Sequence, residues 1–133
     1  MALDDLDHFT IRVPPDDLAD LRRFYVEVLG LVEGERPPFS FPGHWLYLAG
    51  RPVVHLAGRE GMASAKRDTG SLDHIAFRAE DLVDMRAHLA RHGVSFREQP
   101  VPGLGLHQVF LTDPAGIQVE INYSAEEAAR AAG

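Results

Sequence analysis

Histidines and a glutamate recur at matching points of a duplicated sequence. Residues 6–12 are nearly repeated as residues 72–78, so His8 and His74 hold the same place in two copies about half of the 133-residue chain apart. Glu120 lies between apolar neighbours, where a buried carboxylate needs a partner. Two imidazoles and one carboxylate form a facial triad that leaves coordination sites open for substrate. The spacing therefore predicts a divalent metal, with Fe(II), Mn(II), Ni(II), Co(II) and Zn(II) all suited to these ligands.

His55 and His107 extend this set in different ways. His55 stands in the first copy where Glu120 stands in the second. As a fourth ligand it would leave two open positions on a six-coordinate metal, whereas it would close the shell of tetrahedral zinc. Ligation by His55 thus stays open. His107 lies on the strand expected to pair with the Glu120 strand, and with Glu120 it is a candidate acid or base.

Period-2 alternation predicts which side chains share a face with these ligands. Apolar residues at odd offsets would pack on helices, and the alternate face would line a pocket. That face carries Thr10 and Asn122, which are predicted substrate contacts together with Trp45 and Tyr47. The remaining histidines are assigned less specific places. These are His44, which could gate a pocket beside Trp45, and His88 and His92, which are expected at the surface of a helix.

The hydrophobic periodicity predicts βαβββ in each copy, with a first helix capped by Asp16 or Asp17 and running to Val28. In the second copy, Glu80 and Asp81 precede the helix, and a strand is expected near residues 94–97. The chain is predicted to be a single α+β domain over residues 1–133. Within this domain we expect module one at about 5–57, a linker at about 58–70, module two at about 71–123 and a helical tail at 124–133.

Composition bounds the function classes. The chain is 45% hydrophobic, has no cysteine and carries a formal net charge of −7. Thiolate ligands and disulfides are therefore absent, and nucleic acid is an unfavourable partner. Lys66 is the only lysine, which disfavours Schiff-base chemistry. No apolar run reaches the roughly 20 residues of a spanning helix, and the acidic start is unlike a signal peptide. These features predict a soluble cytoplasmic protein that does not associate with a membrane.

Three motifs in this architecture resemble the vicinal oxygen chelate superfamily. That group includes glyoxalase I, bleomycin resistance proteins, extradiol dioxygenases, fosfomycin resistance proteins and methylmalonyl-CoA epimerase. The likeness covers about residues 5–123. The motifs are Leu72-Asp73-His74-Ile75-Ala76-Phe77, Phe24-Tyr25 before Leu29-Gly30-Leu31, and Asp113-Pro114-Ala115-Gly116 leading to Val119-Glu120-Ile121.

The resemblance implies a cup-shaped mixed sheet of eight strands built from two βαβββ modules, with a metal on its floor. Ligands would come from the first and last strand of each module, and these positions hold His8, His55, His74 and Glu120. It also implies a homodimer, with modules pairing within one chain or across the two subunits. Glyoxalase I typically has a glutamate at the place of His55. The set of two histidines and a glutamate matches the extradiol dioxygenases and fosfomycin enzymes instead, although the tyrosine that many dioxygenases carry upstream of the glutamate is missing from residues 107–111.

Three functions follow as hypotheses, all with a small-molecule substrate. The preferred one is an Fe(II) dioxygenase that cleaves or oxidises an aromatic or polyketide-like diol, because apolar candidates for the pocket suit a flat substrate. These candidates are Trp45, Tyr47, Phe39, Phe41 and Leu104. The second is a redox-neutral isomerase or lyase of the glyoxalase I type, which would hold a thiol conjugate through arginines. Those arginines are Arg22, Arg23, Arg36, Arg59 and Arg67. The third is a metal-free drug-binding protein of the bleomycin-resistance kind.

Overall fold

The computed structural model describes residues 1–62 and 69–132, and each half of the chain contains four strands. The elements of the first half are β1 (Phe9–Val13), α1 (Leu18–Arg23), β2 (Val32–Gly34), β3 (Gly43–Leu48) and β4 (Arg51–Gly58). Those of the second half are β5 (His74–Arg78), α2 (Leu82–Arg91), β6 (Arg97–Val101), β7 (Leu106–Thr112), β8 (Gln118–Ser124) and α3 (Ala125–Ala132). The α+β class with two tandem βαβββ modules is confirmed.

The two modules have the same sheet topology. Each forms a four-stranded mixed sheet, with strand order β1-β4-β3-β2 in module one and β5-β8-β7-β6 in module two. The first and last strands of each module pair in parallel, and the other neighbours are antiparallel. The register places Thr10 opposite His55 and Ala76 opposite Glu120. The duplicated sequence thus sets equivalent positions at the centre of equivalent sheets.

The chain divides into two compact units, residues 1–65 and 66–133. The division falls inside the predicted linker, although β4 already takes up Gly58. Lys66 and Arg67 lie outside the described residues. That both units belong to one interdependent domain stays a prediction. None of the described helices is long and apolar enough to cross a bilayer.

One face of each sheet carries a hydrophobic core, as the alternation predicts. In module one the core includes Leu46, Val54 and Leu56 from the sheet and Leu21 from α1, and all four are almost fully buried. In module two the corresponding side chains come from the sheet strands and from α2. They are Val109, Leu111, Val119, Ile121, Leu82 and Leu89. Burial of each such side chain contributes roughly 1.5–3 kcal/mol to the stability of the folded state. This face of each sheet therefore forms the core, and the predicted ligands lie on the opposite face.

The first helix differs from its prediction at both ends. Neither Asp16 nor Asp17 caps it with a side-chain hydrogen bond; a short 3-10 turn at Pro15–Asp17 leads into α1 instead. Proline suits this entry because it pre-sets the helical φ and needs no hydrogen-bond acceptor for an N–H. The last predicted turn is π-helical, at Phe24–Val28, and the left-handed Gly30 ends it.

The predicted strand near residues 94–97 is wrong, since β6 begins only at Arg97 and continues to Val101. Pro100 lies inside β6, although proline is unfavourable within a sheet, and β6 is the edge strand. An edge strand tolerates a proline because one row of its backbone groups has no partner strand. Glu80 and Asp81 precede α2 as predicted, and Asp81 caps it: its Oδ1 accepts a hydrogen bond from the Asp84 backbone N–H at 3.0 Å.

Candidate metal centre

His74 and Glu120 lie on adjacent parallel strands of module two. Their side chains share the face opposite the core, because the register pairs Ala76 with Glu120 and the face alternates along each strand. The Nε2 atom of His74 is 3.3 Å from Oε1 of Glu120. Glu120 is only 9% exposed, and its Oε2 accepts a hydrogen bond from Nδ2 of Asn122 at 2.8 Å. The structure therefore brings together one predicted imidazole ligand, the predicted carboxylate and the predicted contact Asn122.

An aspartate orients the histidine that opens each module. His74 donates Nδ1–H to Oδ2 of Asp73 at 2.8 Å, and His8 donates Nδ1–H to Oδ1 of Asp7 at 2.7 Å. The hydrogen bond from His8 lowers the pKa of Asp7. With Nδ1 protonated and held, the lone pair of each neutral imidazole is on Nε2, which is the arrangement of carboxylate, histidine and metal in many centres. Sequence reasoning did not assign Asp7 and Asp73, although the repeated Asp-His pair was visible.

His55 is the central ring of an aromatic stack in module one. Its ring centroid lies 3.8 Å from that of His8 and 4.0 Å from that of Trp45, and the planes are nearly parallel in both pairs. Nε2–H of His55 donates to the backbone oxygen of Pro52 at 2.9 Å, so the lone pair is on Nδ1. Burial lowers the pKa of His55, and the charge that His8 can carry lowers it further. Both effects favour the neutral imidazole that a metal requires.

Each module thus supplies two donor groups. Within either unit, the described residues contain no group of three or more metal-binding side chains. The pairs are His8 with His55 and His74 with Glu120, and their chemistry fits a divalent transition metal. A second observation supports that fit: Oδ1 of Asn122, next to Glu120, is buried and has no hydrogen-bond partner in the described chain. A buried acceptor of this kind needs a donor such as a bound hydroxyl or water.

A cavity of about 450 Å³ opens on the same face of module one as His8 and His55. Thr10 and Trp45, two of the predicted substrate contacts on this module, line it together with Phe39 and Phe41. Tyr47 does not line it. The hydroxyl of Tyr47 donates to the backbone oxygen of Glu35 at 2.8 Å, beside a separate depression.

Leu104 belongs to neither of these two cavities. It is 70% exposed in the segment between β6 and β7. Leu104 is therefore a surface residue in this structure and supplies no apolar wall to the module-one pocket.

Residues 5–121 match the sequence profile of the Glyoxalase/Bleomycin resistance protein/Dioxygenase superfamily. The chain belongs to this superfamily. The match spans both modules and includes every predicted ligand. It identifies the same family as the resemblance seen in the sequence.

Solved structures of the superfamily share the fold. A glyoxalase/bleomycin resistance protein/dioxygenase domain from Frankia sp. is 24% identical, with a TM-score of 0.76 over 92% of this chain and 99% of that one. The trypanothione-dependent glyoxalase I of Leishmania major is 25% identical, with a TM-score of 0.68 over 98% and 94%. The fosfomycin resistance protein FosX from Listeria monocytogenes is 18% identical, with a TM-score of 0.70 over 95% and 98%. No curated protein sequence matches the chain.

The structure places His107 away from the Glu120 face. His107 pairs with Tyr123 across the strands, and Tyr123 is on the core face. Nε2–H of His107 donates to Oε1 of Glu98 at 2.6 Å. Glu98 also accepts two hydrogen bonds from Arg86 of α2, at 2.9 and 2.7 Å. The structure does not bring His107 and Glu120 together, because adjacent strand positions alternate between faces.

Module one contains the same arrangement. His44 donates Nδ1–H to Oε2 of Glu33 at 2.5 Å, and Arg22 donates to Oε1 of Glu33 at 2.6 Å. His44 is thus on the core face and does not gate a pocket beside Trp45. Each of the two modules therefore contains an Arg-Glu-His cluster between its helix and its sheet. Sequence reasoning missed this second repeat because its three members are far apart in the chain.

The other histidines and arginines are at ordinary places. His92 is exposed near the end of α2, as expected, with its ring 4.3 Å from that of the half-buried His88. Arg23 pairs with Asp20 on the helix surface. Arg36 and Arg59 line the module-one cavity.

Proposed function

We propose that this protein is a divalent-metal-dependent enzyme that binds two adjacent oxygens of a small organic substrate, and that it oxidises or cleaves an aromatic or polyketide-like diol. The observation that carries the proposal is the pairing of His74 with Glu120, with Asp73 behind the imidazole. Its counterpart is His8 held by Asp7. Fe(II) is the preferred metal, and Ni(II), Co(II), Mn(II) and Zn(II) are alternatives.

The proposed ligands are His8 and His74 through Nε2, Glu120 through its carboxylate and His55 through Nδ1. A divalent cation, when bound, stabilises negative charge that develops on substrate oxygens. Asp7 and Asp73 would keep the two Nε2 lone pairs available and the rings fixed.

Four residues have proposed roles toward the substrate. Oδ1 of Asn122 would accept a hydrogen bond from a substrate hydroxyl, since this buried oxygen has no partner within the described chain. The carboxylate of Glu120 is proposed to take part in moving the hydroxyl proton. Thr10 and Trp45 would contact the substrate in the module-one pocket. His107 is not part of this proposal, because it pairs with Glu98 on the core face.

The apolar wall of the pocket favours oxidation of a flat diol over the second function. A redox-neutral isomerase or lyase is supported by a different observation, which is that Arg36 and Arg59 line the same cavity and could hold an anionic conjugate. The sequence likeness to the Leishmania major glyoxalase I also favours it. Against it stands His55, at the position where glyoxalase I typically has a glutamate.

Elemental analysis followed by oxygen uptake tests the proposal. Protein purified without chelator is expected to contain about one divalent metal ion per chain. The iron-loaded form is expected to consume oxygen with catechols. Turnover of a thiol conjugate without oxygen, in the Ni(II) or Co(II) form, would replace the oxidative function by the isomerase. Failure to retain any metal, combined with tight binding of an apolar drug, would overturn the enzyme proposal in favour of sequestration.

A homodimer is part of the proposal, since family members of this length often pair modules across two subunits. Analytical ultracentrifugation of the metal-loaded protein checks it. A sedimentation coefficient of a monomer at micromolar concentration would contradict it.

A further inference from the structure

The module-one cavity has a continuous aromatic wall. The stack of His8, His55 and Trp45 forms one part of this wall. Phe39 and Phe41 form the other, with ring centroids 5.1 Å apart and planes nearly parallel. Phe39 also approaches Trp45, at 6.3 Å between centroids. Because His55 has both faces covered by its neighbours, the stack offers mainly ring edges, which suit a flat aromatic ligand in edge-to-face geometry.

Guanidinium groups stand against this wall. The Cζ atom of Arg59 lies 4.3 Å from the centroid of Phe41, and that of Arg36 lies 5.1 Å from it and 5.0 Å from the centroid of Phe39. Arg36 also donates from Nη2 to the backbone oxygen of Phe41 at 2.7 Å, which fixes its orientation. Stacking covers the face of a guanidinium and leaves the N–H groups at its edge free to bind an anion in the same plane.

These arginines are positive charges without an internal counter-ion. Arg12, Arg36 and Arg59 all line the cavity, and none forms an ion pair with a carboxylate among the described residues. Arg22 and Arg86 do form such pairs. Among the described residues outside the cavity, Arg78, Arg91 and Arg97 also form none, so it is the clustering of three such arginines at one cavity that is distinctive.

The protein as a whole carries a net charge of −7. The cavity lining, by contrast, has three unpaired cations against one carboxylate, that of Asp7, which is paired with His8. This excess of positive charge favours an anionic ligand.

We propose that the module-one cavity binds an aromatic carboxylate: the ring packs against the aromatic wall, and the carboxylate is bound by Arg36 and Arg59. A carboxylate is planar and has two acceptor oxygens, which match the paired N–H groups of a guanidinium. The inference rests on the proposed function for its consequence, namely that the substrate is a ring diol carrying a carboxylate. The binding itself does not depend on a metal.

The experiment uses metal-free protein in the presence of chelator and compares 2-naphthoate with uncharged 2-naphthamide by isothermal titration calorimetry. A charge-assisted hydrogen bond contributes about 1.5–3 kcal/mol, so naphthoate is expected to bind at least about tenfold more tightly. Arg59→Gln is expected to lower the naphthoate affinity about tenfold and the naphthamide affinity by much less, because only the carboxylate loses a charge-assisted partner. Arg59→Gln keeps the hydrogen bond from Arg36 to the backbone oxygen of Phe41, so the segment that carries Phe39 and Phe41 keeps its support.

Arg91→Gln is the matched control, because it removes the same charge from the exposed end of α2 in the other module. It is expected to change the naphthoate affinity less than twofold. A second readout comes from Trp45, which is the only tryptophan and lines the cavity. Binding of benzoate, a smaller aromatic carboxylate, is expected to change the fluorescence emission of Trp45.

Equal affinity for naphthoate and naphthamide would overturn the inference, as would equal losses in Arg59→Gln and Arg91→Gln. Tight naphthoate binding by a protein that consumes no oxygen with any diol would contradict the oxidative function but not the carboxylate site. Oxygen uptake with diols, without preference for those that carry a carboxylate, would contradict the substrate class but not the oxidative function.

Discussion

Nε2 of His74 lies 3.3 Å from Oε1 of Glu120, across two parallel strands that are the first and last of their module. The parallel pairing makes this contact possible, since it puts the start of β5 beside β8 on the face away from the core. The same pairing in module one puts His8 beside His55. A duplicated βαβββ unit thus creates two equivalent pairs of donor groups.

Glu120→Gln tests whether the carboxylate holds a metal. Glutamine keeps the shape and the hydrogen bond with Asn122 but removes the negative charge that a divalent cation needs. We expect metal affinity to fall by at least about tenfold, on the scale known for perturbed metal sites. Calorimetric titration with Mn(II) or Ni(II) measures it. Glu126→Gln, in the exposed pair with Arg130 on α3, should leave the affinity unchanged, and an equal affinity in both variants would refute the ligand role of Glu120.

Asp73→Asn tests the orienting role of the aspartates. An amide at this position can present its N–H₂ group to Nδ1 and no longer selects the tautomer with the lone pair on Nε2. Loss of such a partner typically lowers metal affinity about 10–100-fold, and we expect Asp7→Asn to act in the same way. Asp17→Asn is the control, because the Asp17 side chain makes no capping hydrogen bond. Wild-type affinity in both test variants would show that the aspartates are mere surface charges.

The repeat, the βαβββ order and the faces of the strands could all be predicted from the sequence, because each depends on local periodicity or on direct self-similarity. The alternation around His8 and Glu120 is an example: one-residue steps decide which face a side chain occupies. The sequence also showed that His55 and Glu120 are equivalent, since the number of residues from His8 to His55 is nearly the same as that from His74 to Glu120.

The partners of His107 and His44 could not be predicted in this way. Each pairs with a glutamate on an edge strand and, through it, with an arginine on the helix, and these contacts depend on the antiparallel register. The register of β6 was not predicted, because a proline at residue 100 favours the end of a strand before that position. Spacing along β7 alone therefore left the face of His107 undecided.

His55→Phe addresses the open role of His55. Phenylalanine keeps a ring between His8 and Trp45, so the stack is preserved, but it removes Nδ1. If His55 is a ligand, as proposed, metal affinity should fall by at least about tenfold. The metal-free protein should lose only the contribution of the hydrogen bond from His55 to the Pro52 backbone oxygen, about 0.5–1.5 kcal/mol of unfolding free energy. Unchanged metal affinity would reduce the ligand set to His8, His74 and Glu120.

The Arg-Glu-His cluster of module two should make stability depend on pH. The hydrogen bonds from Arg86, and with a smaller effect from His107, hold the pKa of Glu98 below its ordinary value of 4.5, although burial opposes them. In module one burial also opposes the shift, yet hydrogen bonds from His44 and Arg22 lower the pKa of Glu33. A carboxylate with a lowered pKa in the folded state binds protons less readily than in the unfolded state. Its stabilising contribution is therefore complete above pH 4.5 and is lost as the pH falls through the folded-state pKa.

Glu98→Gln measures that contribution. At pH 7 the variant is expected to lose about 1–3 kcal/mol of unfolding free energy, because the Arg86 and His107 groups lose a charged acceptor between α2 and the sheet. Below pH 4 the difference from the wild type should shrink, since the wild-type carboxyl becomes protonated too. Urea unfolding of metal-free protein at pH 3–7 gives both values. The exposed pair of Glu126 with Arg130 contributes little to stability, so Glu126→Gln should follow the wild type at every pH. A Glu98→Gln deficit that stays constant from pH 7 to pH 3 would mean that packing, rather than the charge of Glu98, links α2 to β6 and β7.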